Sequence, residues 1–374
     1  MKKKVIVAGH ICIDITPSIM SKGSDNIKDI LIPGTLINVG KADIHTGGAV
    51  ANTGLAMKLL GADVTLAGKI GDDAFGDMVF SIAGAYGAAG GLIRRKDEST
   101  SYSVVLALPG IDRIFLHHPG ANDTFCADDI SDESLEEAEL FHFGYPPLMK
   151  KIYENCGDEL VRLFEKVKRA GCTASLDMAA VDPDSESGRM DWEMILKRVL
   201  PFTDIFVPSA EELMYMLDRY KYDNIRKRVG SGDFCSFLDI EDDVAPLAKK
   251  CMEMGAKIVM IKCGVPGLYL ATKSRRELAS LPESLELDAD AWDGISLFEK
   301  SYRPEKVLSG TGAGDTSIAA FLMSVLEGCE PGLCMRLAAA EGASCVTEYD
   351  ALSGIKPLSV LKDKIEAGWE KNVM

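Results

Sequence analysis

The sequence predicts an α/β fold, a three-layer sandwich in which helices cover both faces of a mostly parallel central sheet. Short runs of aliphatic and β-branched residues alternate along the chain with helix-length segments. The apolar runs lack the polar alternation of a strand with one solvated face, so both faces are expected to be buried. This order of strands and helices is typical of a parallel sheet. The chain, at 374 residues, is long enough for a large core.

The alternating elements can be placed in order along the chain. Strands are predicted at residues 5–8, 64–67, 173–176, 205–207, 257–261 and 268–271. Helices are predicted at residues 49–60, 158–170, 210–217, 246–254 and 316–326. Together these segments form the repeated βα pattern that builds a covered parallel sheet.

Two segments do not follow this alternation. Residues 29–46 and 100–119 are rich in strand-forming residues but lack partner helices. Pro109-Gly110 is predicted to form a hairpin turn inside the second segment. A small antiparallel sheet that stands off the main one would account for both segments.

The predicted organisation is therefore a core with a small β-rich unit. The core comprises residues 1–14, 47–99 and 120–374, and the β-rich unit comprises residues 15–46 and 100–119. Two polar segments, near residues 219–243 and 273–306, are interpreted as insertions near the surface.

The composition argues against several classes of function. The formal net charge is −16, and no basic block is present that could bind nucleic acid or an anionic membrane. No apolar stretch reaches the length of a membrane-spanning helix. The ten cysteines include no C-x-x-C pair and are interpreted mostly as small buried apolar residues, which favours a reducing cytoplasm.

The most informative motif is SGTGAGDT at residues 309–316. Glycines let backbone N–H groups converge, and the start of a helix adds unpaired N–H donors and a partial positive charge. These features favour a phosphate-like anion at this loop. Asp315 would repel that anion, but it is suited to take a proton from a hydroxyl group that attacks the phosphate. The alternative is that Asp315 only caps the helix.

Four positions in the first part of the chain suit the binding of a polyol. Asp14 lies near the end of the first predicted strand, and ligands of parallel sheets bind beyond the carboxyl ends of strands. Gly47 and Gly48 open the next helix and let a ligand approach the backbone. The amide of Asn52, one turn into that helix, can both donate and accept hydrogen bonds. The alternatives are a turn aspartate and a buried, satisfied asparagine.

These motifs resemble those of the ribokinase-like (PfkB) family of carbohydrate kinases. The similarity rests on the double glycine with Asn52, KIGDDAFGD at residues 69–77, Gly120-Ala121-Asn122, GTGAGD at residues 310–315, and AAAEGASCVTEYDA at residues 338–351. These segments match in order and spacing over nearly the whole chain, apart from the two insertions. The late glycine motif is specific, whereas the double glycine alone would be weak.

The resemblance implies phosphoryl transfer from ATP within a ribokinase-like fold. It places the γ-phosphate of ATP at the glycine loop, where the backbone of Gly312, Ala313 and Gly314 forms an anion hole. Asp315 matches the catalytic base. The β-rich unit matches a lid that closes over the sugar and excludes water.

The resemblance also assigns contacts to the sugar and the nucleotide. The implied sugar contacts are Asp14, Gly47, Gly48, Asn52, Asn122 and Arg113. The implied nucleotide contacts are Ser209, Gly264, Gly267, Thr311, Gly312 and Gly314. Glu212 matches a glutamate that organises Mg²⁺ through water.

Several positions depart from the family pattern. Ser209 stands where the family usually has asparagine, and Ser309 stands where it often has an aspartate linked to a monovalent-cation site. Activation by a monovalent cation is therefore doubtful. Ala49 and the run FHFGY at residues 141–145 replace the lysine and glutamate of ribokinase, which argues against ribose and favours a fructokinase-like or ketodeoxygluconate-kinase-like branch.

The predicted function is an ATP- and Mg²⁺-dependent kinase that phosphorylates a hydroxymethyl group of a small carbohydrate. One alternative is a nucleoside kinase of the same fold, in which Phe115 and Phe143 could stack on a base. A second alternative is a catalytically weak sensor of sugar or nucleotide. The expected partners are a small sugar and ATP, with a possible homodimer through the lid.

Overall fold

A computed structural model describes residues 2–19, 31–106, 114–230 and 232–373 of the chain. Within these ranges the strands are β1 (Lys4–Gly9), β2 (Cys12–Pro17), β3 (Ala42–Gly47), β4 (Asp63–Ala67), β5 (Lys69–Gly71), β6 (Ile93–Arg95), β7 (Tyr102–Leu106), β8 (Ile114–His118), β9 (Leu140–Gly144), β10 (Thr173–Leu176), β11 (Ile205–Phe206), β12 (Ile258–Lys262), β13 (Gly267–Thr272) and β14 (Ser296–Lys300).

The α-helices of the same ranges lie mostly between these strands. They are α1 (Ala49–Leu59), α2 (Ala74–Ala85), α3 (Asp132–Glu137), α4 (Lys150–Arg169, with a non-helical break at residues 154–157), α5 (Trp192–Val199), α6 (Ala210–Leu217), α7 (Arg219–Val229), α8 (Ala245–Glu253), α9 (Arg275–Leu278), α10 (Ala313–Leu326), α11 (Pro331–Cys345) and α12 (Leu358–Glu366). None of the helices in the described ranges is long and apolar enough to cross a membrane.

The main sheet has eight strands in the order β14-β13-β12-β11-β10-β9-β1-β4. The pairs from β12 to β4 are parallel, and β13 is antiparallel to both of its neighbours. The predicted α/β fold with a mostly parallel sheet is confirmed. Predicted element bounds lie close to the observed ones, and the strand at residues 173–176 and the helix at 210–217 match them in full.

Helices cover both faces of this sheet because its central strands are apolar on both sides. In β1, Ile6 and Ala8 pack into one core cluster, together with Phe164 of α4. Val5 and Val7 pack into a second cluster, together with Phe321 of α10. Alternate residues of a strand point to opposite faces, so the two clusters lie on opposite sides of the sheet and form the three predicted layers.

A separate small sheet has the strand order β3-β2-β7-β8. The sequence predicted an antiparallel sheet, but β2 and β7 are parallel, so the small sheet is mixed. The predicted β-rich segment at residues 29–46 is also too long. Residues 31–41 form turns and coil, consistent with Pro33, Gly34 and Gly40 in that stretch. The predicted turn at Pro109-Gly110 lies outside the described residues.

The two polar segments are folded parts of the molecule. The first contains α7 and a π-helical turn at Ile240–Val244, which leads into α8. The second contributes β14, which pairs with β13 and extends the main sheet, so this segment is not only a surface insertion. The division of the chain into a core and a lid stays a prediction.

Candidate active site

Asp315 lies in the first turn of α10, and its carboxylate is almost fully buried. Asn52 Nδ2 donates to Asp315 Oδ2 at 3.0 Å, and Thr53 Oγ1 donates to Oδ1 at 3.3 Å. The hydroxyl group of Tyr145 lies 2.8 and 2.9 Å from the two carboxylate oxygens. These contacts fix the orientation of the carboxylate, which faces a large cavity.

The environment of Asp315 raises its pKa, chiefly because burial disfavours the charged form. The nearby ammonium group of Lys262 and the donors on Asn52 and Tyr145 act in the opposite direction. A carboxylate whose pKa is raised accepts a proton more readily than an ordinary surface aspartate. Asp315 therefore has the chemistry of a general base.

The glycine loop before Asp315 has the backbone shape that the sequence predicted. Gly312 has a φ of 75°, and a side-chain carbon built on it would lie 2.2 Å from Cβ of Ala351. Both facts require glycine at this position. Ala313 and Gly314 follow as the first residues of α10, where backbone N–H groups have no partner within the helix. Thr311 and Gly312 line the same cavity as Asp315.

The double glycine is explained by two neighbouring side chains. A carbon built on Gly47 would lie 2.2 Å from Asp14 Oδ2, so this glycine makes room for the carboxylate of Asp14. Gly48 has a φ of 84°, and a carbon built on it would lie 2.6 Å from Nδ1 of His10. Asp14, Gly48 and Asn52 all line the cavity. Gly47 does not line the cavity and contributes only by leaving room for the Asp14 carboxylate.

A row of polar side chains crosses the cavity-facing side of the small sheet. Asp14 pairs with Ser103 in the strand register, and Ser103 pairs with His117. The hydroxyl group of Ser103 lies 3.0 Å from Nδ1 of His117, and Nε2 of His117 lies 3.4 Å from Nε2 of His10. His118 faces the other way, toward Ser99, as expected for neighbouring residues of a strand.

His10 and His117 are neutral at physiological pH. Burial lowers the pKa of His10 to about 3, and burial together with His118 lowers the pKa of His117. His10 Nδ1 is buried and has no hydrogen-bond partner among the described residues. A bound hydroxyl group could satisfy this nitrogen, so the row offers neutral donors and acceptors to a polyol.

An ion pair beneath the glycine loop was not found by sequence reasoning. Lys262, at the end of β12, donates to Asp177 Oδ1 at 2.5 Å, and Asp177 is 1% exposed. A carbon built on Gly314 would lie 4.0 Å from Nζ of Lys262, so the ammonium group lies beside the start of α10. The sequence did contain a sign of this pair, because Asp177 directly follows the buried strand β10 and Lys262 ends the buried strand β12. Ligands of a parallel sheet bind beyond the carboxyl ends of its strands.

Tyr145 is a second residue that sequence reasoning missed. It directly follows β9 and adopts a φ of 67°, which is uncommon for a residue other than glycine. This conformation aims the phenol at Asp315. The family motifs quoted for sugar binding do not include a tyrosine here, and only the tertiary contact with α10 reveals it. Backbone strain of this kind is often found at functional sites.

Ser209 and Glu212 form the start of α6. The hydroxyl of Ser209 accepts from the backbone N–H of Glu212 at 3.2 Å, and Glu212 Oε2 accepts from the backbone N–H of Ser209 at 2.7 Å. This reciprocal arrangement is a capping box. Ser209 also bridges β12 at Lys262. Glu212 interacts electrostatically with Asp177 and Lys262, which joins it to the buried ion pair.

The acidic groups of this region fit a magnesium ion that also binds phosphate. Asp177 Oδ2 is buried and lacks a hydrogen-bond partner among the described residues, and Glu212 lies nearby. Mg²⁺ is usually held by one or two carboxylates, together with phosphates and water. No group of three or more potential metal ligands was found in the described part of the chain, so a cage made of protein ligands alone is not indicated.

Gly264 and Gly267 form the turn between β12 and β13. Their φ values are 61° and 140°, and a carbon built on Gly267 would lie 2.1 Å from the backbone oxygen of Glu299. The turn itself therefore requires glycine at both positions. Neither residue lines the cavity that contains Asp315. A contact of these two glycines with the nucleotide stays a prediction.

A further candidate, Asn122, does not line the cavity that contains Asp315. The amide of Asn122 is used by the backbone: Nδ2 donates to the oxygen of Ile11 at 2.9 Å, and Oδ1 accepts from the nitrogen of Ile11 at 3.1 Å. Asn122 is fully buried and ties its loop to the segment between β1 and β2, so a direct sugar contact is not supported. Arg113 lies outside the described residues.

Comparison with known proteins identifies the family. The family model described as pfkB family carbohydrate kinase matches residues 2–357. The chain therefore belongs to the pfkB family of carbohydrate kinases. It is a phosphotransferase that acts on a sugar hydroxyl group, and this argues against the alternative of a sensor without enzymatic activity.

Relatives with assigned names are sugar kinases. The chain is 26% identical over 309 residues to an uncharacterized sugar kinase of Archaeoglobus fulgidus, covering 82% of this chain and all of that protein. It is 31% identical over 288 residues to fructokinase-1 of Oryza sativa subsp. japonica, covering 75% of this chain and 74% of that protein.

Solved structures show the same fold. The ribokinase of Arabidopsis thaliana, complexed with ribose and ATP, is 21% identical and superposes with a TM-score of 0.69, covering 97% of this chain and 98% of that one. An E. coli protein assigned as a ribokinase II, in complex with ATP and Mg²⁺, has the same identity and TM-score and covers 98% and 99% of the two chains.

Proposed function

We propose that the protein transfers the γ-phosphoryl group of ATP to a hydroxymethyl group of a small carbohydrate. The hydroxymethyl oxygen forms a bond to the γ-phosphorus, and the bond from that phosphorus to the β,γ-bridging oxygen breaks. ADP leaves, and Asp315 takes the proton of the attacking hydroxyl group. The N–H groups of Gly312–Gly314 bind the oxygens of the transferred group.

One observation carries this proposal. The buried carboxylate of Asp315 faces the cavity from the first turn of the helix whose N-terminal backbone N–H groups would bind the phosphate. A proton acceptor and an anion site are thereby side by side, as in-line phosphoryl transfer requires. Asp14, Gly48 and Asn52 line the same cavity, so polar contacts for a sugar lie near the proposed base.

ATP and Mg²⁺ are the proposed cofactors. When bound, Mg²⁺ supplies charge neutralisation for the phosphate oxygens. Asp177 and Glu212 are the residues proposed to hold it, directly or through water, and the ammonium group of Lys262 adds a fixed positive charge beside Gly314. The structures of relatives with bound ATP support this assignment. Dependence on a monovalent cation stays doubtful because of Ser309.

A nucleoside kinase of the same fold is the second candidate. The expectation that Phe143 stacks on a base is not supported, because its ring lies in the core. Phe115 lines the cavity and could serve in that role. A homodimer through the small sheet and a location in the cytoplasm also remain proposals. The exposed apolar residues Ile44 and Leu116 on that sheet support the dimer.

Replacement of the proposed base tests the mechanism. Asp315→Asn keeps the size of the side chain but cannot accept the proton, so kcat is expected to fall by about 10²–10⁴. Fructose binding, measured by calorimetry, should stay within a few-fold of the wild type. The matched control is Asp123→Asn, which alters another carboxylate of the cavity lining and should retain turnover. Retention of turnover, measured as ADP release, by Asp315→Asn would show that Asp315 is not the base.

A further inference from the structure

The cavity that contains Asp315 is larger than a single sugar requires. Its volume is about 1060 Å³. Cavities of roughly 300–1,000 Å³ bury drug-sized ligands, and a monosaccharide needs only the lower part of that range. Of the nucleotide-side residues, Thr311 and Gly312 line the cavity beside Asp315, whereas Ser209, Gly264 and Gly267 do not. Most of this space therefore belongs to the acceptor side of the site.

The additional space has walls of its own. It is lined by residues from the two segments that follow β9 and β10, which are neighbouring strands of the main sheet. The apolar part of this lining comprises Pro147, Leu148, Tyr153, Ala179, Ala180 and Val181. An ion pair of 2.8 Å between Lys150 and Glu186 joins the two segments. We call this part of the cavity the second subsite.

A buried hydroxyl group in the second subsite lacks a partner. Ser187 is 6% exposed and lines the cavity, and its Oγ has no hydrogen bond among the described residues. An unpaired buried polar group costs free energy, so this hydroxyl group points to a ligand that supplies the missing hydrogen bond. Phe115, two residues from His117 on the same face of β8, adds an aromatic surface to the lining.

The charges of the cavity select against an anionic acceptor. Five carboxylates line it, from Asp14, Asp123, Asp182, Glu186 and Asp315. Lys150 is the single lysine or arginine among the described lining residues, and its charge is already matched by Glu186. A carboxylate or phosphate on the acceptor would be repelled in this environment.

We propose that the acceptor is a neutral sugar whose hydroxymethyl end lies against Asp315 and whose other end carries an uncharged ring in the second subsite. This inference rests on the proposed kinase function. Nucleosides and aryl glycosides share this chemistry. Sugar acids and sugar phosphates do not, so the inference disfavours the ketodeoxygluconate-kinase-like branch. The reaction remains the transfer of the γ-phosphoryl group to the hydroxymethyl oxygen, with the proton passing to Asp315.

Paired acceptors test the inference by ADP release. Inosine is compared with ribose, phenyl β-D-glucopyranoside with glucose, and fructose 6-phosphate with fructose. At least one ring-bearing acceptor is expected to exceed its free sugar in kcat/KM by about 10- to 100-fold, because the ring buries apolar surface. The phosphorylated acceptor should be poorer than fructose. The first two pairs distinguish a nucleoside from an aryl glycoside.

Variants of the second subsite supply an independent readout. Val181→Trp fills the apolar part, and Ser187→Ala removes the unpaired hydroxyl. Both should reduce kcat/KM for the ring-bearing acceptor, by about 3- to 10-fold for Ser187→Ala, and leave the free sugar unchanged. The controls are Val360→Trp on the exposed face of α12 and Ser324→Ala in the middle of α10. Both should leave kcat/KM unchanged for the ring-bearing acceptor and for the free sugar.

The outcomes separate the two proposals. The second subsite would be overturned, with the kinase function intact, by two results together. Free sugars would have a kcat/KM at least as high as that of ring-bearing acceptors, and Ser187→Ala would not change the ratio of these two kcat/KM values. A preference for the phosphorylated or acidic acceptor would also overturn it. Absence of ADP release with every acceptor would instead contradict the proposed function itself.

Discussion

Two buried polar clusters border the proposed site, and they are held together in different ways. Beneath the glycine loop, Lys262 and Asp177 form an ion pair at 2.5 Å, with Asp177 almost fully buried. On the small sheet, Ser103 and His117 form a neutral hydrogen-bonded row that leads from Asp14. One cluster is built on fixed charges, and the other mainly on neutral donors and acceptors.

The difference matches what each cluster would contact. A transferred phosphoryl group carries negative charge, which a buried ammonium group stabilises without reorganisation during the reaction. A sugar presents hydroxyl groups, which need directional donors and acceptors more than net charge. We propose that the ionic cluster serves the chemical step and that the neutral row serves recognition. The following substitutions test this division.

Loss of the ammonium group should have the largest effect. In Lys262→Met the side chain keeps its length, but the transferred group loses a fixed positive charge, and kcat is expected to fall by about 10²–10³. Asp177 is left buried without its cation, so the free energy of unfolding should also fall, by about 3–5 kcal/mol. ADP-release kinetics and thermal melting measure the two effects.

Lys257→Met is the matched control. Lys257 pairs with the buried Asp204 at 2.8 Å, and neither residue lines the cavity. This variant should lose stability, although less than Lys262→Met because Lys168 also pairs with Asp204, and it should keep kcat. Equal kcat losses in the two variants would mean that Lys262 acts only on stability.

Neutralisation of Asp14 should act on recognition. In Asp14→Asn a charged acceptor of sugar hydroxyl bonds becomes an amide, and such a bond contributes about 1.5–3 kcal/mol. KM for the sugar is expected to rise by about 10- to 100-fold with a much smaller change in kcat. Asp43→Asn, an exposed aspartate of the same sheet, should leave KM unchanged. A loss confined to kcat would contradict the assignment of Asp14 to sugar binding.

Removal of the tyrosine hydroxyl should have the smallest effect and a specific pH signature. The hydrogen bond from Tyr145 lowers the pKa of Asp315, so Tyr145→Phe should raise that pKa further. Asp315 must be deprotonated to act as a base. The acid limb of the kcat/KM profile should therefore move to higher pH, while the rate at high pH stays within a few-fold of the wild type.

A second tyrosine provides the control for this profile. Tyr153 lines the cavity but has no hydrogen bond to Asp315, so Tyr153→Phe should leave the acid limb in place. An acid limb that does not move in Tyr145→Phe would show either that Asp315 does not control the profile or that Tyr145 does not tune it.

The fold was largely predictable because its signal is local. Runs such as residues 173–176 have a buried, apolar pattern that few structures other than a covered strand can satisfy. The apolar pattern does not identify strands that are partly exposed, and it does not give the direction in which two strands pair. Residues 31–41 contain strand-forming side chains but form turns, and the direction of β7 relative to β2 depends on the connection between them.

The site was predictable only in part. Gly312 and Gly48 carry a signal because their backbone conformations favour glycine, and Gly47 because a side chain there would collide with Asp14. Asp315 carries a signal because it directly follows the glycine loop. Asn122 shows the limit of the sequence signal, because an amide that binds backbone has the same sequence signature as one that binds sugar. A one-letter sequence does not distinguish these two uses of the same side chain.

By itself, the sequence determined the layered α/β fold, the family motifs and the position of the glycine loop before Asp315. These features depend on residues that are neighbours along the chain. The tertiary structure decided that Tyr145, Lys262 and Asp177 meet near Asp315, and that a second subsite with an unpaired Ser187 adjoins it. These residues come from different strands and loops, and only the parallel sheet, which aligns the carboxyl ends of its strands at one edge, brings them together.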